Sequence, residues 1–223
     1  MSPLSDNLAL LTPEFAMAGL AFLVFALDLF LPESRKNLLA FVSMAGLAVL
    51  IVLSLVMLWD EDKSLYDGLL AVDSFALFFK VFFMGLGIAI ILTSMDFVEN
   101  RLKHQGEFYG LLLFSILGMN VMAQSRELLT AYIALELLSF SLYVMVSYTK
   151  NSDKTNESAL KYILVGAVSS AILLYGVSMV YSTLGVTKFD EIAEGLAIVS
   201  DVSPAPVSYT HLRAHETDSY LVC

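Results

Sequence analysis

The chain has 223 residues and a formal net charge of −10, with 58% hydrophobic and 15% charged residues. Soluble domains are less apolar and carry roughly a quarter charged residues, so this composition excludes an ordinary soluble enzyme and points to an integral membrane protein. The acidic balance excludes a nucleic-acid footprint, and a single cysteine, Cys223, excludes a disulfide framework or thiolate ligation of zinc or an iron–sulfur cluster by this chain.

The opening MSPLSDNLALLTPEF has no positively charged leader and no small-residue cleavage pattern follows it, so the first apolar run is expected to be retained as a helix. Apolar runs of about 20 residues, the length that crosses a bilayer, recur at residues 9–31, 38–59, 72–94, 108–125, 128–148 and 159–185. The fold class expected is therefore all-α, a polytopic bundle of about six spans. The second run is followed by the loop acids Asp60, Glu61, Asp62 and Asp67. Only Ser125, Arg126 and Glu127 separate the fourth and fifth runs, which predicts an antiparallel hairpin with almost no loop. Loops one–two, three–four and five–six carry Arg35, Lys36, Arg101, Lys103, Lys150 and Lys154, against Lys63, Arg126 and Lys188 on the other side, which places the N-terminus outside. Residues 186–199 read as a connecting segment with a short interfacial helix carrying Phe189, Ile192 and Leu196 on one side.

The ending, PAPVSYTHLRAHETDSYLVC, has no apolar periodicity. His211 and His215 share the i, i+4 spacing of a helical metal pair, but no acidic general-base motif accompanies them. VSYTHLRAHET, residues 207–217, resembles the translation of a transposon-derived sequencing adapter, so the tail is excluded from fold reasoning and the natural protein is expected to be longer. Three segments result: 1–107 with three spans, 108–199 with three more and the connector, and the tail 200–223.

Charges within the spans carry the functional signal, because a mid-membrane ionisable group costs about 2.5–3.5 kcal/mol on insertion scales and needs a partner, water or a function. Glu136 is the clearest case. Tyr132, Ser139, Tyr143 and Ser147 lie at offsets of −4, +3, +7 and +11, making a hydroxyl-bearing stripe that must face protein or water. Lys161 enters the sixth span, where it either snorkels to the interface or pairs with a buried acid. Gly166, Ala167, Ser169, Ser170 and Ala171 on that span give a small-residue surface for close helix approach. Lys80 is either an ion-pair member or functional, and Asp28 reads as structural near an interface. Asn120 reads as an interhelical hydrogen-bonding residue that could also hold water, and Met119 and Met122 as packing.

The runs FYGLLLFSILGMNVMAQSRELLTAYIALELLSFSLYVMVSY and NESALKYILVGAVSSAILLYGVSMVYSTLG resemble the antiporter-like membrane subunits of respiratory complex I, with subunit N of bacterial NADH-quinone oxidoreductase the best match. The ESALKY…G…SSA…LLYG portion is the specific part, and the resemblance covers residues 1–199. It implies a bundle of fourteen helices with two inverted repeats of five, of which this chain would hold three N-terminal helices and the first three of one repeat. It implies that Glu136 matches the family's fifth-helix glutamate and Lys161 the sixth-helix lysine of subunit N, both serving proton translocation. A buried carboxylate holds its proton more tightly, and less tightly beside an ammonium, so moving a lysine can load or release it. Whether that lysine is Lys161 or one on a seventh helix stays open. The resemblance further implies a bacterial plasma membrane location, partners among the other membrane-arm subunits and the lipid bilayer, and no cofactor bound by this chain, with NADH, FMN, iron–sulfur clusters and quinone served elsewhere in the complex. A cation/proton antiporter or hydrogenase-type membrane subunit is the near alternative. A non-transporting scaffold, whose polar stripe only locks helices together, is the alternative of another class.

Overall fold

Six helices of the computed structural model are long and apolar enough to cross a membrane, and the structure describes residues 8–32, 35–102, 104–147 and 153–202. They are α1 (Thr12–Phe30), α2 (Leu38–Leu58), α3 (Ser74–Arg101), α4 (Gln105–Gln124), α5 (Leu128–Val146) and α6 (Asp153–Leu184), followed by α7 (Phe189–Val202). The helical reading of the fold class holds, with one addition. Between α2 and α3 a small antiparallel hairpin pairs β1 (Lys63–Leu65) with β2 (Leu70–Val72). Its turn places Tyr66, Asp67 and Gly68 at positive φ.

Two helices overrun their apolar runs. α3 continues to Arg101, and polar side chains near its end bond back to their own helix: Thr93 Oγ1 donates to the Ala89 carbonyl at 3.0 Å and Asn100 Nδ2 to that of Asp96 at 2.9 Å. α6 starts at Asp153, before the apolar stretch begins. α7 reaches Val202 and so runs past residue 199, while His211, His215 and Cys223 lie outside the described residues.

The core follows helical periodicity. Met17, Ala21 and Val24 of α1, Leu39, Leu47 and Leu50 of α2, and Met84, Ile91 and Val98 of α3 pack around Leu113 and Ile116 of α4. The seven-residue steps on α3 keep one seam facing its neighbours, as in left-handed helix packing. α4 is the hub: it packs on α1, α2, α3 and α5, whereas α6 packs chiefly on α5. Large apolar side chains such as Leu29, Phe30 and Val56 point outward, where hydrocarbon is the matching solvent.

One end of the bundle is tied together by backbone. Arg126 N–H donates to the Leu69 carbonyl at 2.9 Å, Leu128 N–H to Thr187 at 3.0 Å, and Phe189 N–H to Arg126 at 3.0 Å. The Arg126 guanidinium also pairs with Asp73, whose other carboxylate oxygen caps α3 by accepting from Ala76 N–H at 2.7 Å.

Candidate functional site

Glu136 lies in the ninth position of α5 and is partly buried against α6. Ser170 of α6 donates its hydroxyl to Glu136 Oε1, and Tyr132 Oη lies 3.2 Å from Ser170 Oγ. A carboxylate, a serine and a tyrosine thus form a continuous hydrogen-bonded line between two helices. Beside it an open cavity of about 310 Å³ is lined by Glu136, Ser139, Tyr143, Tyr162, Ser169 and Ser170. That is room for several waters among polar walls.

The small-residue surface of α6 makes this geometry possible. A Cβ built on Gly166 would come 2.1 Å from the Tyr143 hydroxyl, so only glycine lets the phenol stand there. Tyr143 meets Tyr162 edge to face, with ring centroids 5.1 Å apart. The α4–α5 side is held as closely: a Cβ on Gly118 would lie 2.8 Å from the Leu138 nitrogen and 2.9 Å from the Ala134 oxygen, both backbone atoms.

Of the residues singled out by sequence, Glu136, Ser139 and Tyr143 line the cavity, and Tyr132 joins them through Ser170. Lys161 stands apart. It is exposed on α6 and pairs with Glu157 at 2.5 Å, nine residues and so about 13 Å along the helix from Ser170. Ser147, the last member of the stripe, bonds back to the Val144 carbonyl at 2.8 Å.

Lys80 belongs to a second cluster with Glu14 and Gln124, between α1, α3 and α4, and Asn120 lies one turn before Gln124 on the same face of α4. Lys80 Nζ lies 2.5 Å from Glu14 Oε1, with Lys80 1% exposed. Gln124 Nε2 donates to the same oxygen at 2.6 Å and to the Asn120 carbonyl at 3.2 Å. The Asn120 side-chain oxygen is buried without a protein hydrogen-bond partner. Asp28 pairs with Lys36 at 3.5 Å and accepts from Gly106 N–H at 3.3 Å, near the other end of the bundle. Glu14 and Gln124 were not anticipated from sequence. Among the described residues there is no group of three or more histidine, cysteine or acidic side chains that could hold a metal ion.

A family model described as NADH:quinone oxidoreductase/Mrp antiporter, TM, matches residues 125–210, the stretch carrying Glu136 and Ser170 and reaching into the tail. NADH-quinone oxidoreductase subunit N of Anoxybacillus flavithermus is 38% identical over 201 residues, 89% of this chain and 40% of the relative. Over most of its length the chain is similar to antiporter-like membrane subunits.

Subunit N of Desulfitobacterium hafniense is 36% identical over 194 residues, 86% of this chain and 39% of that protein. Among solved structures, a chain of respiratory complex I from Thermus thermophilus with bound aureothin matches 85% of this chain and 42% of that chain, with a TM-score of 0.64 and 25% identity. The Mrp complex from Dietzia shares the fold, with a TM-score of 0.63 at 18% identity over 82% of this chain and 20% of that one. The chain spans about 40% of the length of the curated family members it matches.

Proposed function

We propose that this chain acts within a proton-translocating membrane subunit of a bacterial NADH-quinone oxidoreductase, in which quinone reduction elsewhere in the complex drives protonation changes along the α5–α6 interface. The observation that carries the reading is the Tyr132–Ser170–Glu136 line beside a polar cavity. Hydroxyl groups both donate and accept, so such a line can pass a proton to or from a carboxylate when water fills the cavity. Glu136 is the proton-holding group, and Tyr132, Ser139 and Tyr143 line its route. Lys161, on an outer turn of α6, sets the local charge rather than contacting Glu136 directly. In this reading α1–α3 form an accessory unit ahead of a repeat that starts at α4. The chain itself binds no redox group; NADH, FMN, iron–sulfur clusters and quinone are handled by partner subunits. The N-terminus faces the outside of the plasma membrane.

Glu136→Gln in the full-length subunit tests this. The variant keeps the Ser170 hydrogen bond but cannot hold a negative charge. Proton movement per quinone reduced should fall while the complex still assembles, and undiminished pumping would sink the reading. The same Ser170–Glu136 bond also favours a helix-locking role, which predicts the reverse: assembly lost in Glu136→Leu, and pumping untouched in Glu136→Gln. A cation/proton antiporter activity predicts pH-dependent sodium exchange in vesicles without any quinone.

A further inference from the structure

The cluster between α1, α3 and α4 has a deficit the protein does not fill. Gln124 is oriented by its two bonds, because reversing its amide would set an oxygen against two acceptors, Glu14 Oε1 and the Asn120 carbonyl. Three buried oxygens nevertheless lack any protein partner: Glu14 Oε2, Asn120 Oδ1 and Gln124 Oε1. Glu14 is 8% exposed, Asn120 3% and Gln124 1%. Buried acceptors left unpaired are costly, and three in one cluster demand an account.

All three need hydrogens. A metal cation would add positive charge next to the Lys80 ammonium, whereas water brings two O–H donors, no net charge, and an oxygen able to accept from a Lys80 N–H. We propose that Glu14, Lys80, Asn120 and Gln124 form an internal water-binding site, separate from the Glu136 line. Three acceptors exceed the hydrogens of one molecule, so the site takes two waters, or one water assisted by a second Lys80 N–H. The water is trapped. Leu11 and Leu77, three residues before Glu14 and Lys80, belong to an apolar cluster with Leu10, Leu58, Leu65 and Val72 that closes the end of the bundle next to the hairpin.

The test is a density map of the membrane complex containing the full-length chain, at a resolution that shows ordered water elsewhere in the membrane domain. Density within about 3 Å of Glu14 Oε2 and Gln124 Oε1 is expected. Side chains rearranged to pair with one another, with no such density, would overturn the proposal. Asn120→Leu in the same complex gives an independent readout. A hydrated site loses one of the water's partners, and the temperature at which the subunit leaves the complex falls. In a dry site the substitution removes an orphaned oxygen, and that temperature stays or rises. Neither measurement depends on proton movement, so it stands or falls apart from the role given to Glu136.

Discussion

Lys80 and Glu14 show what a single buried charge demands. Removing one member of a buried ion pair strands the other and costs about 3–5 kcal/mol, while replacing both by apolar groups of similar size is often close to neutral. Glu14→Gln should therefore lower the thermal midpoint of the full-length protein sharply, and Glu14→Gln combined with Lys80→Met should restore most of it. A double-variant loss equal to the sum of the Glu14→Gln and Lys80→Met losses would mean the pair contributes no coupling. Lys80 was conspicuous in sequence because an ammonium within an apolar helix needs an ion-pair partner or a function. Glu14 was not, because Thr-Pro-Glu at a helix start is the ordinary composition of an exposed first turn. What buries it is packing against α3 and α4, where Lys80 and Gln124 meet its carboxylate from far along the chain, contacts that no local pattern encodes.

At the scale of elements, the α4–α5 hairpin rests on backbone contact at Gly118. Gly118→Ala would gain up to about 1 kcal/mol of helix propensity, but the added methyl meets main-chain atoms that cannot rotate away. The net effect should be destabilising, read as a lower melting temperature, with Gly118→Leu worse. The helix that carries Glu136 starts at a cap of similar exactness. Glu127 accepts from Thr130 N–H at 3.1 Å. Burial pushes its carboxyl up, but hydrogen bonds from Thr130 and Thr187 and the nearby Lys188 outweigh that and hold it below the ordinary glutamate range. Its folded pKa is lowered, so its stabilisation is complete above the unfolded value and is lost as pH falls through the folded one. Amide exchange at Thr130 should therefore accelerate in acid relative to a Glu127→Gln variant, whose protection would not share that pH dependence. The short Ser-Arg-Glu connection announced this hairpin in sequence. The cap did not announce itself, since Glu is not among the favoured N-cap residues and two of its partners, Thr187 and Lys188, come from beyond α6.

At the scale of the molecule, apolar run length specified six spans, and their order is as expected because each run is long enough to cross and too apolar to do otherwise. The stripe around Glu136 was legible too, since hydroxyl side chains spaced on one helical face have one geometric meaning. The partner of Glu136 was not: a lysine attracts attention electrostatically, yet Ser170, one of several small residues on α6, supplies the bond.

Gly185, at φ +72°, ends α6 by donating its N–H to the Tyr181 carbonyl at 2.8 Å, and the chain then enters the backbone ties at Thr187 and Phe189. α6 is therefore a rod clamped at one end. Measured from Gly185, Ser170 lies about 22 Å along the rod and Lys161 about 36 Å. A tilt of about 5° about that clamp would carry Ser170 roughly 2 Å and Lys161 roughly 3 Å, by the same rise per residue. The smaller of these displacements already exceeds the tolerance of a hydrogen bond, so the bonds of Ser170 to Glu136 and Tyr132 hold only while α6 keeps its angle on α5.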